Sequence, residues 1–532
     1  MTKGAVALVL HAHLPYVRSA EPGSLEEDWF FQALVECYLP LLETLERAAQ
    51  HPDCQPKLTM GLSPTLLTLL DAADLKQRFP TWLEQRQQLL PQADQSLREA
   101  GDHLSATFER HLAAWQACDG DLIERFASLQ RHGVVDLLTC GATHGYLPLL
   151  RHHPEAVRGQ LRTAVREHQR LIGERPLGIW LPECAYYEGL DHWMRDAGLR
   201  YAVLDAHGLL HGRPRPRYGV YAPICSRNGV AFFGRDSEAT LPVWSAKDGY
   251  PGNPDYREFH RDLGWDLPVE QLAPLGLSEP RPLSLKLHRV TNHSSPLNQK
   301  EPYRPAVAAE RVKEHARDYL QGRRQQLDQL ETAMGVAPLL VAPFDAELFG
   351  HWWFEGPAFL AELFEQANEQ GVTFTRLRDV LNQSSQLQLC DPSPSSWGQG
   401  GYHDYWLNDT NAWVIPEWEK AAAAMVKRCS RGVAHEGDLA LLEQAARELL
   451  LAQSSDWSFI LRSGTTTGLA KERIEQHLGR SWQVMAALDG YEPLPEGWLN
   501  DVSDDDSIFP LVQPLDWAKL PQPRGTSLQR TT

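Results

Sequence analysis

Residues 4–16 of this 532-residue chain read GAVALVLHAHLPY. The run 4–10 has no polar or charged side chain, and an uninterrupted apolar run of this length is typical of a strand buried on both faces, as in a parallel sheet. His11 and His13 follow it directly. The stretch therefore predicts a central β-strand that carries two imidazoles at its carboxyl end.

Similar runs recur along most of the chain, and helical periodicity lies between many of them, as at 154–172 and 306–334. The alternation of strands and helices predicts an α/β fold with a mostly parallel sheet. Seven or more such units favour a (β/α) barrel over an open, doubly wound sheet. The predicted strands are 4–10, 57–62, 134–140, 177–181, 201–204, 230–233, 283–287, 339–342 and 372–375.

Two regions depart from this alternation. Residues 64–132 are helical in pattern throughout, so we predict a helical insertion within a barrel domain at 1–395. A segment rich in Ser, Pro and Gly ends that domain, and 396–532 is predicted to be a C-terminal all-helical domain. Its acidic stretch 500–507 and polar end 521–532 predict a loosely ordered tail.

The amino-acid composition restricts the kinds of molecule that this protein can bind. The chain has 51 Lys and Arg against 69 Asp and Glu, a net charge of −18, which disfavours nucleic-acid binding and adhesion to anionic membranes. No run reaches the roughly 18 apolar residues of a spanning helix, and the eight Cys show no CxxC spacing. We therefore expect a reduced, cytoplasmic protein with a small or neutral polymeric partner.

Reactive groups of a parallel barrel lie where its strands end. Here His11 and His13 follow the first predicted strand, His144 the third, Glu183 the fourth and Asp345 the eighth. Two carboxylates among histidines suit cleavage of a glycosidic bond, in which one attacks or stabilises the sugar centre and the other protonates the leaving oxygen. The 17 Trp of the chain would supply platforms for sugar rings.

These residues also have ordinary interpretations. A Glu after a strand is often a salt-bridged surface residue, and a Trp is often a core anchor. Asp345 has Glu347 as a rival two residues on, and the pattern does not separate them. Cys184, beside Glu183, is interpreted as a buried, inert thiol rather than a nucleophile.

A metal centre is the competing interpretation of the histidines. An HxH motif after the first strand is also how a divalent-metal hydrolase or deacetylase begins. His207 and His211 are one helical turn apart and offer a further pair. Because the later strands supply no clear His/Asp set, the metal interpretation ranks second.

Five separated motifs resemble, in order, those of glycoside hydrolase family 57. They are HAHLPY at 11–16, GATHGYLPLL at 141–150, GIWLPECAY at 178–186, APFDAELFGHWW at 342–353 and SSWGQGGYHDYWLN at 395–408. The segments 244–262 (WSAKDGYPGNPDYREFHRD) and 455–457 (SDW) are similar to its 1,4-α-glucan branching enzymes in particular.

The resemblance implies a distorted (β/α)7 barrel with a helical insertion and a C-terminal helical domain. It implies a retaining mechanism that needs neither metal nor cofactor, with Glu183 as nucleophile and Asp345 as general acid/base. The two carboxyl groups would then lie about 5–5.5 Å apart. The residues that would bind substrate are His11, His13, His144, Trp29, Trp265, Trp397, Trp406 and, as weaker matches, Arg257, Arg261 and Asp456.

One stretch of the chain departs from the family. The branching members carry a tyrosine on a mobile loop that favours transfer over hydrolysis, whereas 222–242 here contains no Tyr and Tyr221 just precedes it. A lid excludes water from the glycosyl-enzyme. Without that tyrosine, hydrolysis would compete with transfer.

The expected function is that of the branching enzymes. The resemblance implies a branching enzyme of glycogen- or starch-type biosynthesis that acts on amylose, amylopectin or glycogen. We expect it in the cytoplasm; the sequence does not give its oligomeric state, and a monomer is favoured. A family 57 α-amylase or 4-α-glucanotransferase would differ only in the acceptor. A non-catalytic glucan-binding protein and the HxH metal hydrolase are two further possibilities, from different functional classes.

Overall fold

The computed structural model describes residues 4–18, 23–245, 247–432 and 436–519. Its strands are β1 (Ala5–Ala12), β2 (Leu58–Leu62), β3 (Val135–Leu138), β4 (Gly178–Ile179), β5 (Tyr201–Leu204), β6 (Ile224–Cys225), β7 (Ala231–Gly234), β8 (Leu339–Asp345) and β9 (Gln388–Leu389). Its α-helices are α1 (Leu25–Ala33), α2 (Leu39–Gln50), α3 (Pro64–Asp71), α4 (Ala73–Gln87), α5 (Arg98–Ala117), α6 (Leu122–Arg131), α7 (Leu147–Leu150), α8 (Pro154–Ile172), α9 (Leu190–Asp196), α10 (Ala206–Leu210), α11 (Ser237–Trp244), α12 (Val269–Leu272), α13 (Pro305–Met334), α14 (Gly356–Gln366), α15 (Leu377–Gln383), α16 (Val414–Cys429), α17 (Glu436–Ala452), α18 (Ser455–Ser463), α19 (Thr467–Leu488) and α20 (Trp498–Asp505).

The strands form two sheets. One has the order β3–β2–β1–β8, all parallel, with His11 of β1 opposite Asp345 of β8. The other has the order β4–β5–β7–β6–β9, in which β4, β5 and β7 are parallel and β6 is antiparallel to β7. Strand β1 is buried along almost its whole length, as its apolar run predicts.

A few backbone hydrogen bonds span the seams between the sheets. The Trp180 N–H donates to the Thr139 carbonyl (2.8 Å), which joins β4 to β3, and the Asp236 N–H donates to the Val341 carbonyl (2.8 Å), which joins the end of β7 to β8. Seven parallel strands thus follow one another around a distorted, incompletely closed barrel. The α/β class and the helical C-terminal region are confirmed.

Two predicted strands are wrong. The leucines of 283–287 are buried, but the backbone bends at Ser284 (φ 62°), and the Leu283 and Leu285 N–H groups donate to the buried Asp262 carboxylate (3.0 and 3.1 Å) instead of to a neighbouring strand. In 372–375 only Phe374 pairs, in an isolated bridge to Val6. At 283–287, a side-chain carboxylate satisfies the backbone donors that a sheet ladder would otherwise satisfy.

The helical regions lie where the patterns place them. Helices α3 to α6 lie between β2 and β3, and only helices α16 to α20, besides short turns, follow β9 in the described residues. The limits 1–395, 64–132 and 396–532 stay predictions. The acidic stretch 500–507 is not loose, because it forms α20 and buries Asp506 against Arg480; residues 521–532 lie outside the described residues.

Within the described part of the chain, no helix combines the length and apolar character needed to cross a membrane.

The C-terminal end of the described chain is anchored on helix α8. Trp517 is fully buried and lies so close to α8 that a Cβ at Gly159 would overlap its ring. Beside it, Arg158 donates to the Asp516 carbonyl (2.6 Å) and Arg162 pairs with the Asp516 carboxylate (3.1 Å). This contact joins the helical region to the barrel.

Trp517→Ala is expected to lower the free energy of unfolding by about 3–5 kcal/mol, because the substitution leaves a cavity against α8. Urea unfolding at equilibrium, followed by circular dichroism, measures the change. Leu515→Ala removes a neighbouring side chain that is 65% exposed and should change stability by less than about 0.5 kcal/mol. Equal effects of the two substitutions would contradict the anchor.

Candidate active site

A cavity of about 980 Å³ opens at the carboxyl ends of the barrel strands. Its wall combines groups from the ends of β1, β4 and β8 with groups from the helical region. It brings together ten of the twelve residues predicted for the site: Glu183, Asp345, His11, His13, His144, Trp29, Trp265, Trp397, Trp406 and Asp456.

The two predicted arginines are not part of this lining. Arg257 is buried, pairs with Glu36 (3.4 Å) and stacks on the ring of Phe354 (3.6 Å). Arg261 pairs with Asp266 (2.9 Å). Both guanidinium groups therefore bind protein partners rather than line the cavity.

Glu183 sits in a short turn after β4, with its backbone in the left-handed region (φ 61°). A non-glycine residue adopts this conformation at a cost, and such strain is concentrated at functional sites. The Trp397 indole N–H donates to the Glu183 carboxylate (2.8 Å), and the Trp397 backbone N–H donates to the Glu183 carbonyl (3.0 Å). Burial raises the pKa of Glu183 to about 7, although the Trp397 hydrogen bond lowers it.

Asp345 is the last residue of β8. Burial, and then the charges of Glu347 and Glu183, raise its pKa well above the usual range, and only Arg235 opposes them. Two carboxyl groups of one cavity are thus placed in different environments. Glu183 receives a hydrogen bond that favours its charged form, whereas Asp345 faces two other carboxyl groups.

Three histidines form a stack along one wall. The His13 and His144 rings lie 4.0 Å apart at 14°, the His11 and His144 Nε2 atoms lie 3.1 Å apart, and His11 stacks on Trp180 (4.7 Å). Burial lowers the pKa of His11 and of His144, so both are neutral near pH 7 and can hydrogen-bond to hydroxyl groups. His144, like Glu183, has a left-handed backbone (φ 56°).

The helical region contributes the partner of His13. Asp456 of α18 lies 3.1 Å from His13 Nε2 and accepts a hydrogen bond from Ser454 (2.5 Å). Although burial opposes it, His13 lowers the pKa of Asp456 to about 2, and the charge of Asp456 in turn raises the pKa of His13. Ser455 Oγ lies 2.8 Å from His144 Nδ1. The helical region therefore completes the cavity.

The histidine stack is poorly shaped for a metal ion. His13, His144 and Asp456 place possible ligand atoms within 4.8 Å of one another. However, a metal lies in the plane of each imidazole that binds it, at about 2.0–2.1 Å, and nearly parallel rings 4.0 Å apart do not direct two lone pairs at one point. The second candidate pair is also occupied, because His207 contacts Asp205 (3.2 Å) and the Gly401 carbonyl (2.8 Å).

Several lining residues were missed from the sequence. Arg235 directly follows β7, so the strand-end rule that selects Glu183 would have found it. Trp244, at the end of α11, and Trp352, after β8, are partly exposed at the cavity. Both lie in motifs that resemble the family, although neither is among the predicted site residues. Trp244 lies 5.7 Å from Trp397.

The missing tyrosine is not replaced by Tyr221. The Tyr221 carbonyl accepts a hydrogen bond from the N–H of Leu339, the first residue of β8 (2.9 Å), whereas Asp345 is at the other end of this strand. Tyr221 therefore lies towards the amino ends of the strands. From this part of the chain, Arg235 and Trp244 reach the cavity instead.

Glu183→Gln is expected to stabilise the fold more at high pH than at low pH. The pKa of Glu183 in the folded state is raised to about 7. Wild-type protein therefore loses stability as the pH rises from the ordinary pKa of a Glu to this raised pKa, whereas glutamine does not titrate. We expect the variant to gain about 1–3 kcal/mol more over wild type at pH 8 than at pH 5. Urea unfolding at both pH values measures this gain.

The matched control is Glu492→Gln, which changes an exposed carboxylate. It should show the same difference from wild type at both pH values. An equal response of the two variants would contradict the half-buried, partly protonated state of Glu183.

Comparison with known proteins finds two family models that match this chain. The model of glycosyl hydrolase family 57 matches residues 7–271, and the model described as 1,4-alpha-glucan branching enzyme, C-terminal, matches residues 417–517. The chain is 32% identical over 509 residues to the 1,4-alpha-glucan branching enzyme of Thermococcus kodakarensis, and the alignment covers 89% of this chain and 72% of that protein.

Two solved structures superpose over nearly the whole chain. The alpha-amylase AmyC from Thermotoga maritima has a TM-score of 0.90 at 35% identity, covering 98% of this chain and 100% of that one. The branching enzyme from Pyrococcus horikoshii has a TM-score of 0.88 at 30% identity, covering 98% of each chain. The chain therefore belongs to glycosyl hydrolase family 57, which confirms the resemblance seen in its motifs.

Proposed function

We propose that this protein is a 1,4-α-glucan branching enzyme, which cleaves an α-1,4 bond and transfers the released chain to a glucan 6-hydroxyl. The observation that carries the proposal is the pair Glu183 and Asp345, which share one cavity in environments that differ in the stability of the charged form. Two carboxyl groups in different environments can divide the roles of nucleophile and acid. The substrate would be amylose, amylopectin or glycogen, in glycogen- or starch-type biosynthesis in the cytoplasm.

In the first step, Asp345 gives its proton to the glycosidic oxygen of the departing chain while the Glu183 carboxylate attacks the anomeric carbon. The Trp397 N–H and the neighbouring His13 favour the ionised form of Glu183. The step leaves a covalent glucosyl-Glu183 and an ionised Asp345.

In the second step, the Asp345 carboxylate takes the proton of an acceptor 6-hydroxyl, and the resulting oxygen nucleophile attacks the anomeric carbon. The bond to Glu183 breaks, so both carboxyl groups return to their starting states. Two inversions give net retention, which requires the carboxyl groups to be about 5–5.5 Å apart.

The rest of the cavity suits an uncharged polymer. His11 and His144 are neutral and can hydrogen-bond to sugar hydroxyls, and Trp265, 51% exposed at the cavity, offers a face for a sugar ring. Neither contact relies on charge attraction. This is consistent with a chain of net charge −18, which disfavours anionic polymers.

Hydrolysis is the second candidate function. It is supported by the 35% identity to a protein called an alpha-amylase and by the absence of a tyrosine from 222–242. The same two carboxyl groups would then pass the glucosyl unit to water. Whether transfer or hydrolysis dominates depends on how well water is excluded from the glucosyl-enzyme. In this part of the chain, Trp244 is the aromatic side chain at the cavity that could exclude it.

The proposed function predicts that incubation with amylose increases α-1,6 anomeric proton signals in NMR while reducing-end signals stay nearly constant. Glu183→Gln and Asp345→Asn should lower this rate by at least about 10²-fold, with the fold retained by circular dichroism. Growth of reducing ends alone would establish hydrolysis instead. Near-normal turnover by either variant would refute the catalytic roles.

Trp244→Ala is expected to shift the products toward hydrolysis, because water gains access to the glucosyl-enzyme. We expect the ratio of new reducing ends to new α-1,6 bonds to rise by about tenfold or more, and Trp244→Phe to stay close to wild type. Trp482→Ala is the matched control, since Trp482 is similarly exposed (39% against 37%) but lies on α19 outside the cavity. An unchanged ratio in Trp244→Ala would exclude this role.

A further inference from the structure

A π-turn at Leu34–Tyr38 separates helices α1 and α2. Such turns are rare and are frequent at functional sites. Here two successive side chains reach the segment that follows β8. The Cys37 thiol donates to the Ala346 carbonyl (3.1 Å), and the Tyr38 hydroxyl donates to the Glu347 carboxylate (2.6 Å).

The residue before them makes two further contacts to the same segment. The Glu36 carboxylate lies 2.5 Å from His351 Nδ1, and the Glu36 carbonyl faces Gly350 so closely that a Cβ there would overlap the oxygen. Gly350 has φ +116°, so only glycine fits. Three consecutive residues of the π-turn thus fix the segment that begins one residue after Asp345.

Glu347 connects this turn to the cavity. It is half-buried, lines the cavity and accepts a second hydrogen bond, from the His13 backbone N–H (3.0 Å). Glu347 is two residues from Asp345 in the sequence. After burial, its charge raises the pKa of Asp345 most, ahead of the charge of Glu183.

We propose that Tyr38 is a positioning residue for the general acid: its hydroxyl donates to the Glu347 carboxylate and favours the charged form of Glu347, which in turn favours the protonated form of Asp345. This inference rests on the proposed function, in which Asp345 protonates the departing chain. Tyr38 does not line the cavity, so it acts through Glu347.

The groups that face Asp345 come from three strand ends. Glu183 after β4 and Glu347 after β8 raise its pKa, and Arg235 after β7 lowers it. Of these, the charge of Glu347 depends on a hydrogen bond from outside the barrel strands.

The groups that face Glu347 are His13 from the end of β1 and Cys37 and Tyr38 from the π-turn. Burial raises the pKa of Glu347, and the Tyr38 hydrogen bond is the first contact that opposes this; Cys37 stays a neutral thiol because burial raises its pKa. Loss of the Tyr38 hydroxyl should therefore protonate Glu347, lower the pKa of Asp345 and leave less of the acid form at neutral pH.

The test compares Tyr38→Phe with Tyr201→Phe, because Tyr201 makes the same 2.6 Å hydrogen bond to a buried carboxylate, that of Asp136, away from the cavity. Each variant is assayed on amylose and on an α-maltosyl fluoride, whose fluoride leaves with little help from an acid. For Tyr38→Phe we expect kcat/KM to fall about tenfold on amylose and less than about twofold on the fluoride. In Tyr38→Phe, the basic limb of the pH profile on amylose should move to lower pH. Tyr201→Phe should change neither the ratio of kcat/KM on the two substrates nor the position of this limb.

Equal losses on the two substrates with an unmoved basic limb would overturn the inference and leave Tyr38 a purely structural role. Wild-type protein that cleaves neither substrate would instead overturn the proposed function.

Glu347→Gln gives a second, independent variant. It keeps an acceptor oxygen for Tyr38 and His13 but removes the charge, so it should show the same preference for the fluoride. The double variant Tyr38→Phe/Glu347→Gln should lose little more than Glu347→Gln alone. If the loss of kcat/KM on amylose in the double variant equalled the product of the losses in the two single variants, Tyr38 would not act through Glu347.

Discussion

The partial burial of several carboxyl groups in one cavity is the constraint on which the rest of the site depends. Removal of a carboxylate from water is costly unless donors or cations compensate it. Asp456 is compensated by His13 and stays charged, Glu183 is compensated in part by Trp397, and Asp345 faces other carboxyl groups. The carboxyl groups of the cavity therefore occupy different environments, and this difference is the basis of the proposed division of roles between Glu183 and Asp345.

The compensating donors come from distant parts of the chain. Trp397 follows the last strand, Asp456 lies in the first turn of α18, and Tyr38 belongs to the π-turn before α2. The barrel supplies the reacting groups, but their charge states depend on elements outside its strands. The contact between Trp517 and α8 therefore contributes to the site as well as to stability, because it holds the helical region against the barrel.

The strand-end groups were predictable because apolar runs mark buried strands and parallel strands end at one face. The same rule reaches Arg235, which directly follows β7. Some contacts leave no local trace in the sequence. The Asp262 carboxylate replaces a neighbouring strand at 283–287, and the contact between Tyr38 and Glu347 joins residues 309 positions apart. Long-range contacts of this kind depend on packing, which residue patterns do not encode.

The most direct test of the roles of the two carboxyl groups uses Asp345→Asn with an α-maltosyl fluoride. Fluoride departs with little help from the acid, and without the Asp345 base the acceptor is poorly activated, so the covalent intermediate should accumulate. Peptide mass spectrometry after acid quenching should find one maltosyl group on Glu183. A label on Glu347 or Asp456, or no label while fluoride is released in a burst, would contradict the assignment of Glu183 as the nucleophile.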